Sequence, residues 1–207
     1  MKKKKSPFSL QSFIPMVLVF LMCHGCATFR GDKLPELTDW PPPAQSSKKT
    51  ILLSISGNAS ANGKVQDFSN LIEDWRTQTV RAYEESGLFS SVVLSSAQPT
   101  DLRVDITVDH KGEYSETLAY VTGLTLGVSS LVLPHKSSDD ILMRCVVYDK
   151  KGQEVGAFQQ NESLSTWIQL FLVFAMPFRD GPRKVETNVF YDMNRATILD
   201  AYKKGVY

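Results

Sequence analysis

The sequence predicts an α+β domain in which a mainly antiparallel sheet carries two amphipathic helices on one face. Three observations predict this fold class. Apolar side chains recur with helical spacing in residues 65–86 and 182–199, they alternate with polar ones in residues 101–109, and residues 143–160 have the pattern of a hairpin. The order strand, helix, strand, strand, hairpin, helix is typical of helices collected on one face of such a sheet.

The first strand and the first helix follow a change of pattern near residue 50. Ile51–Ser56 is a short apolar strand, and Gly57-Asn58 after it is a turn pair. Gly87 stands where a left-handed cap ends a helix that begins near Val65. This helix is predicted because six side chains fall on a 3.6-residue period. They are Phe68, Leu71, Ile72, Trp75, Thr79 and Tyr83.

Two strands and a hairpin are predicted next. Residues 91–95 form a second strand, and residues 101–109 form a third with one dry and one wet face. In the hairpin 143–160, Gly152 can take the positive φ of the turn. Cys145 lies inside an apolar strand, which favours a core position over a reactive thiol.

The last element is a helix that Pro182 can start, since proline fits the first turn. Its apolar positions are spaced by four and three residues, which predicts an amphipathic helix packed on the sheet. They are Val185, Val189, Met193, Ala196 and Leu199. Residues 50–207 are therefore expected to form a single α+β domain.

The charge of the chain is unevenly distributed. The formal net charge is +1, but residues 1–25 hold four lysines and no acidic residue. Without them the chain has 19 Lys and Arg against 22 Asp and Glu, a net charge of −3. Nucleic acid is therefore not expected as a partner, because binding it relies on a basic face.

The first 26 residues have the zones of an export signal. The basic start is followed by the apolar run Ile14–Cys23, which is too short to span a bilayer but suits a signal peptide. Gly25 before Cys26 resembles the lipobox of bacterial lipoproteins, in which a small residue precedes a lipid-modified cysteine. His24 and Cys23 depart from the usual lipobox residues. We expect residues 1–25 to be a signal peptide, with a plain signal peptide or an uncleaved anchor as the alternative.

The resemblance implies acylation, palmitate included, of Cys26 as the mature N-terminus. Cys23 is the rival acceptor, although Met22 before it is bulky. In the lipoproteins that the chain resembles, an Asp after the cysteine retains the protein in the inner membrane. Ala27 at this position implies the outer membrane, with the domain facing the periplasm.

Residues 26–49 contain Pro35 and Pro41–Pro43. Such a segment favours an extended polyproline path, which makes it a tether between the lipid and the domain. The alternative is an ordered arm in which Leu34, Leu37 and Trp40 pack onto the domain.

Two apolar tracts do not fit a simple soluble domain. Leu118–Leu133 and Leu164–Phe178 contain no charged residue, yet both are shorter than the ~20 residues of a spanning helix. Three readings stay open: buried core, a surface that lies against a membrane or a partner, and true spanning segments. Spanning would isolate residues 144–160, a lone hairpin that is marginal in water, on the far side of the membrane.

The sequence contains no motif of a known catalytic or cofactor site, such as GxSxG, GxxxxGK[ST], GxGxxG or HExxH. After export only His110 and His135 remain, and both are expected in surface loops. We therefore predict no enzyme activity, no cofactor and no metal site.

Ser86–Val92, at the junction between the first helix and the next strand, resembles the small α/β domains of envelope lipoproteins similar to the N-terminal domain of TolB. This resemblance transfers no functional residue. The sequence predicts a non-catalytic envelope lipoprotein that binds a protein partner or supports an assembly through the two apolar tracts. The alternative is an oligomeric, membrane-embedded component of a pore or secretion apparatus.

Overall fold

A computed structural model describes residues 25–35, 37–67, 69–95, 99–125, 129, 133–169, 172 and 180–207. These residues form seven strands and three helices. In chain order they are β1 Gly25–Arg30, β2 Lys49–Ala61, β3 Lys64–Val65, α1 Ser69–Glu85, β4 Phe89–Val93, β5 Leu102–Tyr114, α2 Glu116–Leu124, β6 His135–Asp149, β7 Glu154–Gln169 and α3 Pro182–Lys203. The predicted signal peptide lies outside the described residues apart from Gly25.

All seven strands belong to one sheet with the order β1-β7-β6-β5-β2-β3, and β4 pairs with β2 on the same side as β3. The β1–β7, β7–β6, β6–β5 and β2–β3 pairs are antiparallel, whereas β2 is parallel to both β5 and β4. The predicted α+β class with a mainly antiparallel sheet is confirmed. The parallel pairs arise because α1 carries the chain back along the sheet before β4 and β5 begin.

The hydrophobic core lies between the sheet and helices α1 and α3. In β5 the predicted alternation is confirmed, since its four apolar side chains are all buried. The same alternation in β2, β6 and β7 turns one face of the sheet toward the helices. The largest fully buried side chains of the core are Trp75, Tyr83, Phe190, Ile51, Leu53, Leu88, Ile106, Ile141, Met143, Met193 and Ile198.

Both predicted amphipathic helices are present. In α1, Trp75, Thr79 and Tyr83 are buried and Leu71 and Ile72 are partly buried, while Phe68 lies outside the described residues. Helix α1 begins at Ser69 rather than near Val65, because residues 64–65 pair with β2 as β3. Pro182 is in the first turn of α3, as predicted. The predicted apolar stripe of this helix faces the core from Val189 to Leu199.

The turn expected at Gly57-Asn58 is wrong. Strand β2 continues through both residues, and the chain turns instead at Asn62 and Gly63, whose φ angles are +48° and +76°. A Cβ at Gly57 would lie 2.5 Å from the carbonyl oxygen of Val108. Glycine is therefore needed at residue 57 for a close approach inside the sheet and not for a turn. By contrast, Gly87 and Gly152 have the expected positive φ angles of +68° and +77°.

The segment expected as a tether is attached to the domain. Residues 25–30 form β1 at the edge of the sheet, and the side chains of Leu34 and Trp40 pack against the core. The Lys203 ammonium lies 3.2 Å from the Asp39 carboxylate, which links the segment to the end of α3. Among the described residues, the sheet therefore begins at residue 25 and not at residue 50. The contacts of Leu34, Asp39 and Trp40 are those expected of the ordered arm.

Candidate functional site

The residue predicted to carry a lipid lies at one end of the sheet. Cys26 in β1 is opposite Ile168 in β7, and Ile168 is opposite His135 in β6. Three adjacent strands therefore bring these residues into one row. We call this part of the molecule, together with helix α2, the Cys26 end.

The first apolar tract begins inside helix α2, at the Cys26 end. Ser115 caps the helix by accepting a hydrogen bond from the Leu118 amide, and no residue of α2 is buried. Tyr120 is 69% exposed and Leu124 is 67% exposed. For residues 118–125, the buried-core reading is therefore wrong. Residues 126–128 and 130–132 of the tract lie outside the described residues.

A group of hydroxyls and one imidazole joins α2 to the sheet. Thr122 Oγ1 lies 2.8 Å from His135 Nε2, and the Ser129 hydroxyl donates to Thr122 Oγ1 across 3.2 Å. Thr125 Oγ1 also contacts the Ser129 hydroxyl at 3.0 Å. His135 is thus the first residue of β6 and not the loop histidine that we expected. The contact between Thr122 and His135 links the otherwise exposed helix α2 to the sheet.

The second apolar tract begins as the last six residues of β7. Leu164 is buried at 4% exposure, whereas Trp167 is 37% exposed, and the Lys136 ammonium lies 5.8 Å from the centre of its ring. Residues 170–171 and 173–179 lie outside the described part. No helix among the described residues combines the length and the apolar character required to cross a bilayer.

A network of charges that the sequence did not predict fastens β1 to β7 and α3. Glu162 is completely buried, and Arg30 Nη2 lies 3.5 Å from its Oε2. Arg30 Nη1 also lies 2.6 Å from Asp192 Oδ2, and Arg195 bonds to the other oxygen of the same carboxylate at 3.1 Å. The alternation of β7 places Glu162 between the inward residues Gln160 and Leu164, so extending the predicted strand beyond residue 160 would have indicated its burial.

A second polar group lies between the sheet and the helices. His110 is in β5 and not in a loop as expected, with its Nε2 3.3 Å from Asp139 Oδ1 and its ring edge-on to Trp75. Burial raises the pKa of the nearby Glu186 carboxyl on α3, and Asp139 adds to this effect. Among the described residues, no three His, Cys, Asp or Glu side chains are placed to bind a metal ion.

Cys145 is a buried thiol at the centre of the sheet, as predicted. Its Sγ lies 3.8 Å from the Tyr83 hydroxyl, which is 3.1 Å from the Tyr207 hydroxyl. Burial raises the pKa of the Cys145 thiol to about 12. A thiol in this state is a poor nucleophile, because the thiolate is the reactive form.

No protein-family model matches the sequence, and no curated protein matches it. The solved structures with a similar backbone include the following two. The PelC dodecamer from Paraburkholderia phytofirmans is 11% identical with a TM-score of 0.39, over 83% of this chain and 96% of that chain. A homologue of neuraminyllactose-binding hemagglutinin from Helicobacter pylori is 11% identical with a TM-score of 0.41, over 83% of this chain and 91% of that chain. A similarity this low assigns neither a fold family nor a function.

Proposed function

We propose that this chain is a non-catalytic lipoprotein of the bacterial cell envelope, acylated at Cys26 and anchored to the outer membrane with its domain in the periplasm. Through the apolar tracts Leu118–Leu133 and Leu164–Phe178 it binds another envelope protein and serves as a module of an assembly. The observation that carries this proposal is the position of Cys26, in one row with Ile168 and His135 and at the same end as the exposed helix α2.

The short distance between the lipid and the sheet has a physical consequence. Because β1 already includes Cys26, acyl chains on its sulfur would bring the Cys26 end directly to the membrane surface. Each buried CH2 group contributes about 0.8 kcal/mol, so several chains make a stable anchor. The exposed side chains of Tyr120 and Trp167 belong to the types that favour the interface between lipid and water. A partner bound at this end is therefore a protein in or next to the membrane.

The anchor is tested by substitution of the two N-terminal cysteines. Cys26→Ser should abolish the incorporation of labelled palmitate, and carbonate extraction should then release the protein from membranes. Cys23→Ser is the matched control and should leave labelling unchanged. Undiminished labelling of the Cys26→Ser variant would refute the assignment of Cys26.

Docking at the Cys26 end is tested with a photo-cross-linking amino acid in intact cells. Placed at Tyr120 or Trp167, it should form adducts with one discrete protein. Placed at Val155, which is 42% exposed near the other end of β7, it should not. Adducts only from position 155 would contradict the proposal. A ring-sized mass in detergent, without a partner protein, would favour the pore or secretion component instead.

A further inference from the structure

Strand β5 extends past the end of its pairing with β2. The pairing ends where Ala61 is opposite Gly112, whereas β5 continues to Tyr114. At this point the chain leaves β2 through the turn at Asn62 and Gly63 and returns as β3. The main-chain N–H of Asn62 still donates to the Gly112 carbonyl at 2.8 Å. The end of β5, and helix α2 directly after it, therefore lie next to this turn.

The side chain of Asn62 takes the place of a strand partner for Tyr114. Its Oδ1 accepts a hydrogen bond from the Tyr114 N–H at 3.0 Å, and its Nδ2 donates to the Tyr114 carbonyl at 2.9 Å. A primary amide has a donor and an acceptor in one plane, so it can make the two bonds that a paired strand residue makes. Gly, Asn and Asp all suit the positive φ of such a turn, but only Asn offers both groups at neutral pH.

Asn62 and Lys64 also bind the first turn of α2. Oε1 of Glu116 accepts a hydrogen bond from Asn62 Nδ2 at 3.4 Å and another from Lys64 Nζ at 3.3 Å. Glu116 is the first residue of α2, and Ser115 before it caps the helix. The bonds from Lys64 and from Asn62 lower the pKa of the Glu116 carboxyl, which favours its charged form. The turn, the end of β5 and the start of α2 are therefore joined through one asparagine side chain.

These bonds are important for α2 because the helix has no buried side chain. A helix of nine residues is marginal in water unless other parts of the chain support it. Within the described part of the chain, α2 makes polar side-chain contacts with the turn and the strands at two points. One is Glu116 at its start, and the other is Thr122, which contacts His135. The direction of a helix that is fixed at two points depends on both of them.

We propose that Asn62 is a positioning residue for helix α2, which it holds at the end of β5 so that the helix presents its exposed side chains to the partner at the Cys26 end. A helix rises about 1.5 Å per residue, so Leu124 lies about 12 Å beyond Glu116 and moves most when the start of the helix changes direction. The partner rests on the proposed function, whereas the link between Asn62 and α2 does not. The two can therefore fail independently.

The test compares two substitutions that the turn itself tolerates. Asn62→Asp keeps the acceptor for the Tyr114 N–H but replaces the donor with an oxygen that faces the Tyr114 carbonyl and the Glu116 carboxylate. Asn62→Gly keeps the turn and removes the side chain. In the purified full chain in detergent, each should speed deuterium exchange of the amides of residues 120–124 about tenfold, as expected for the loss of one or two hydrogen bonds. Exchange in the central strand β5 should not change.

Two further variants show whether the effect comes from the contact itself. In the Asn62→Asp background, Glu116→Gln supplies an N–H donor to the new carboxylate and should restore part of the protection of α2. In the Asn62→Gly background the same substitution should restore none. Asn188→Asp, at an exposed position of α3, is the matched control and should leave exchange in α2 unchanged.

Photo-cross-linking from Tyr120 in intact cells measures the effect on docking. The Asn62→Asp variant should form fewer adducts with the partner than the parent chain. The proposal is overturned if both substitutions at Asn62 leave exchange in α2 unchanged, if they speed exchange in β5 equally, or if Glu116→Gln restores nothing in the Asn62→Asp background. Adducts at the parent level in the Asn62→Asp variant would also overturn it. A parent chain that forms no adducts contradicts the proposed function alone, because exchange in α2 is measured without a partner.

Discussion

Arg30 in β1 reaches Glu162 in β7, a carboxylate with no exposed surface, through a contact of 3.5 Å between Nη2 and Oε2. Oε1 of the same carboxylate accepts hydrogen bonds from the amides of Ser163 at 2.8 Å and Lys33 at 3.2 Å. The cation and both amides come from segments that meet at the edge of the sheet. The buried carboxylate of Glu162 is therefore balanced by Arg30 and by the Lys33 amide of the N-terminal segment. The burial of this carboxylate and the position of that segment depend on each other.

Arg30→Ala should lower the free energy of unfolding by about 3 kcal/mol, because it leaves the buried carboxylate without its cation. This is the lower end of the range for a buried pair, since the Arg30 side chain is itself 27% exposed. Urea unfolding of the purified protein measures this loss. Lys33→Ala is the control, since its ion pair with Asp140 is exposed and should contribute less than about 0.5 kcal/mol. The double variant Arg30→Leu with Glu162→Leu should recover part of the stability. If Arg30→Ala and the parent chain have the same free energy of unfolding, the ion pair between Arg30 and Glu162 does not stabilise the fold.

The sequence could predict the parts of the fold that depend on local periodicity. The stripe of α1 that ends in Trp75, Thr79 and Tyr83 follows from the helical repeat, and the inward side chains of β5 follow from alternation. The ends of β6 and β7 could not be predicted in this way. Near His135 and Gln169 these strands carry Ser, Thr and Asp, which hide the apolar alternation.

The candidate site was harder to predict because its contacts join distant parts of the chain. Neither Arg30 nor Glu162 lies in a motif, and their pairing follows from the antiparallel register of β1 on β7. Helix α2 was missed because the tract 118–133 has no charged residue and mixes Gly, Ser and Thr with its apolar side chains, so no charged face reveals a helical period. The sequence singled out Cys26 and the two tracts as candidates, but only the strand register places Cys26 and the described first part of each tract at one end of the sheet.

Gly57→Ala should destabilise the domain by about 1–3 kcal/mol, the usual cost of overpacking a core. The new Cβ would lie 2.5 Å from the Val108 carbonyl oxygen and 2.8 Å from Cζ3 of Trp75, so the sheet or α1 would have to move. Thermal and urea unfolding measure the effect. Gly123→Ala in α2 is the control, since its Cβ would meet nothing within 4 Å. A parent-like unfolding midpoint for Gly57→Ala would contradict the close approach of β2 and β5.

The thiol of Cys145 should be almost unreactive in the folded protein. With a pKa of about 12 it carries little thiolate at neutral pH. In a Cys23→Ser, Cys26→Ser background, reaction with a disulfide reagent should be slow until urea unfolds the chain. Ser54→Cys in the same background, on the outer face of β2, is exposed and should react at once. Rapid labelling of Cys145 in the native state would show that the centre of the sheet opens easily.

Stability should fall as the pH rises because of Glu186. Burial is the largest cause of the raised pKa of this carboxyl, Asp139 and Asp74 raise it further, and His110 and Arg183 oppose them. Because the pKa in the folded state lies above the ordinary value of 4.5, the folded protein favours the protonated form. The stabilisation of the fold that comes from protonated Glu186 is fully present when the pH is below 4.5. It is lost as the pH rises through the folded-state pKa.

Glu186→Gln removes this dependence by keeping the side chain neutral. The variant should be more stable than the parent chain at neutral pH, and the difference should shrink toward zero below the ordinary pKa of 4.5. Urea unfolding on both sides of that pH measures the two differences. Glu113→Gln, an exposed carboxyl on the outer face of β5, controls for the loss of one negative charge. A Glu186→Gln variant that is less stable than the parent at neutral pH would mean that His110 and Arg183 stabilise the ionised carboxylate by more than its burial costs.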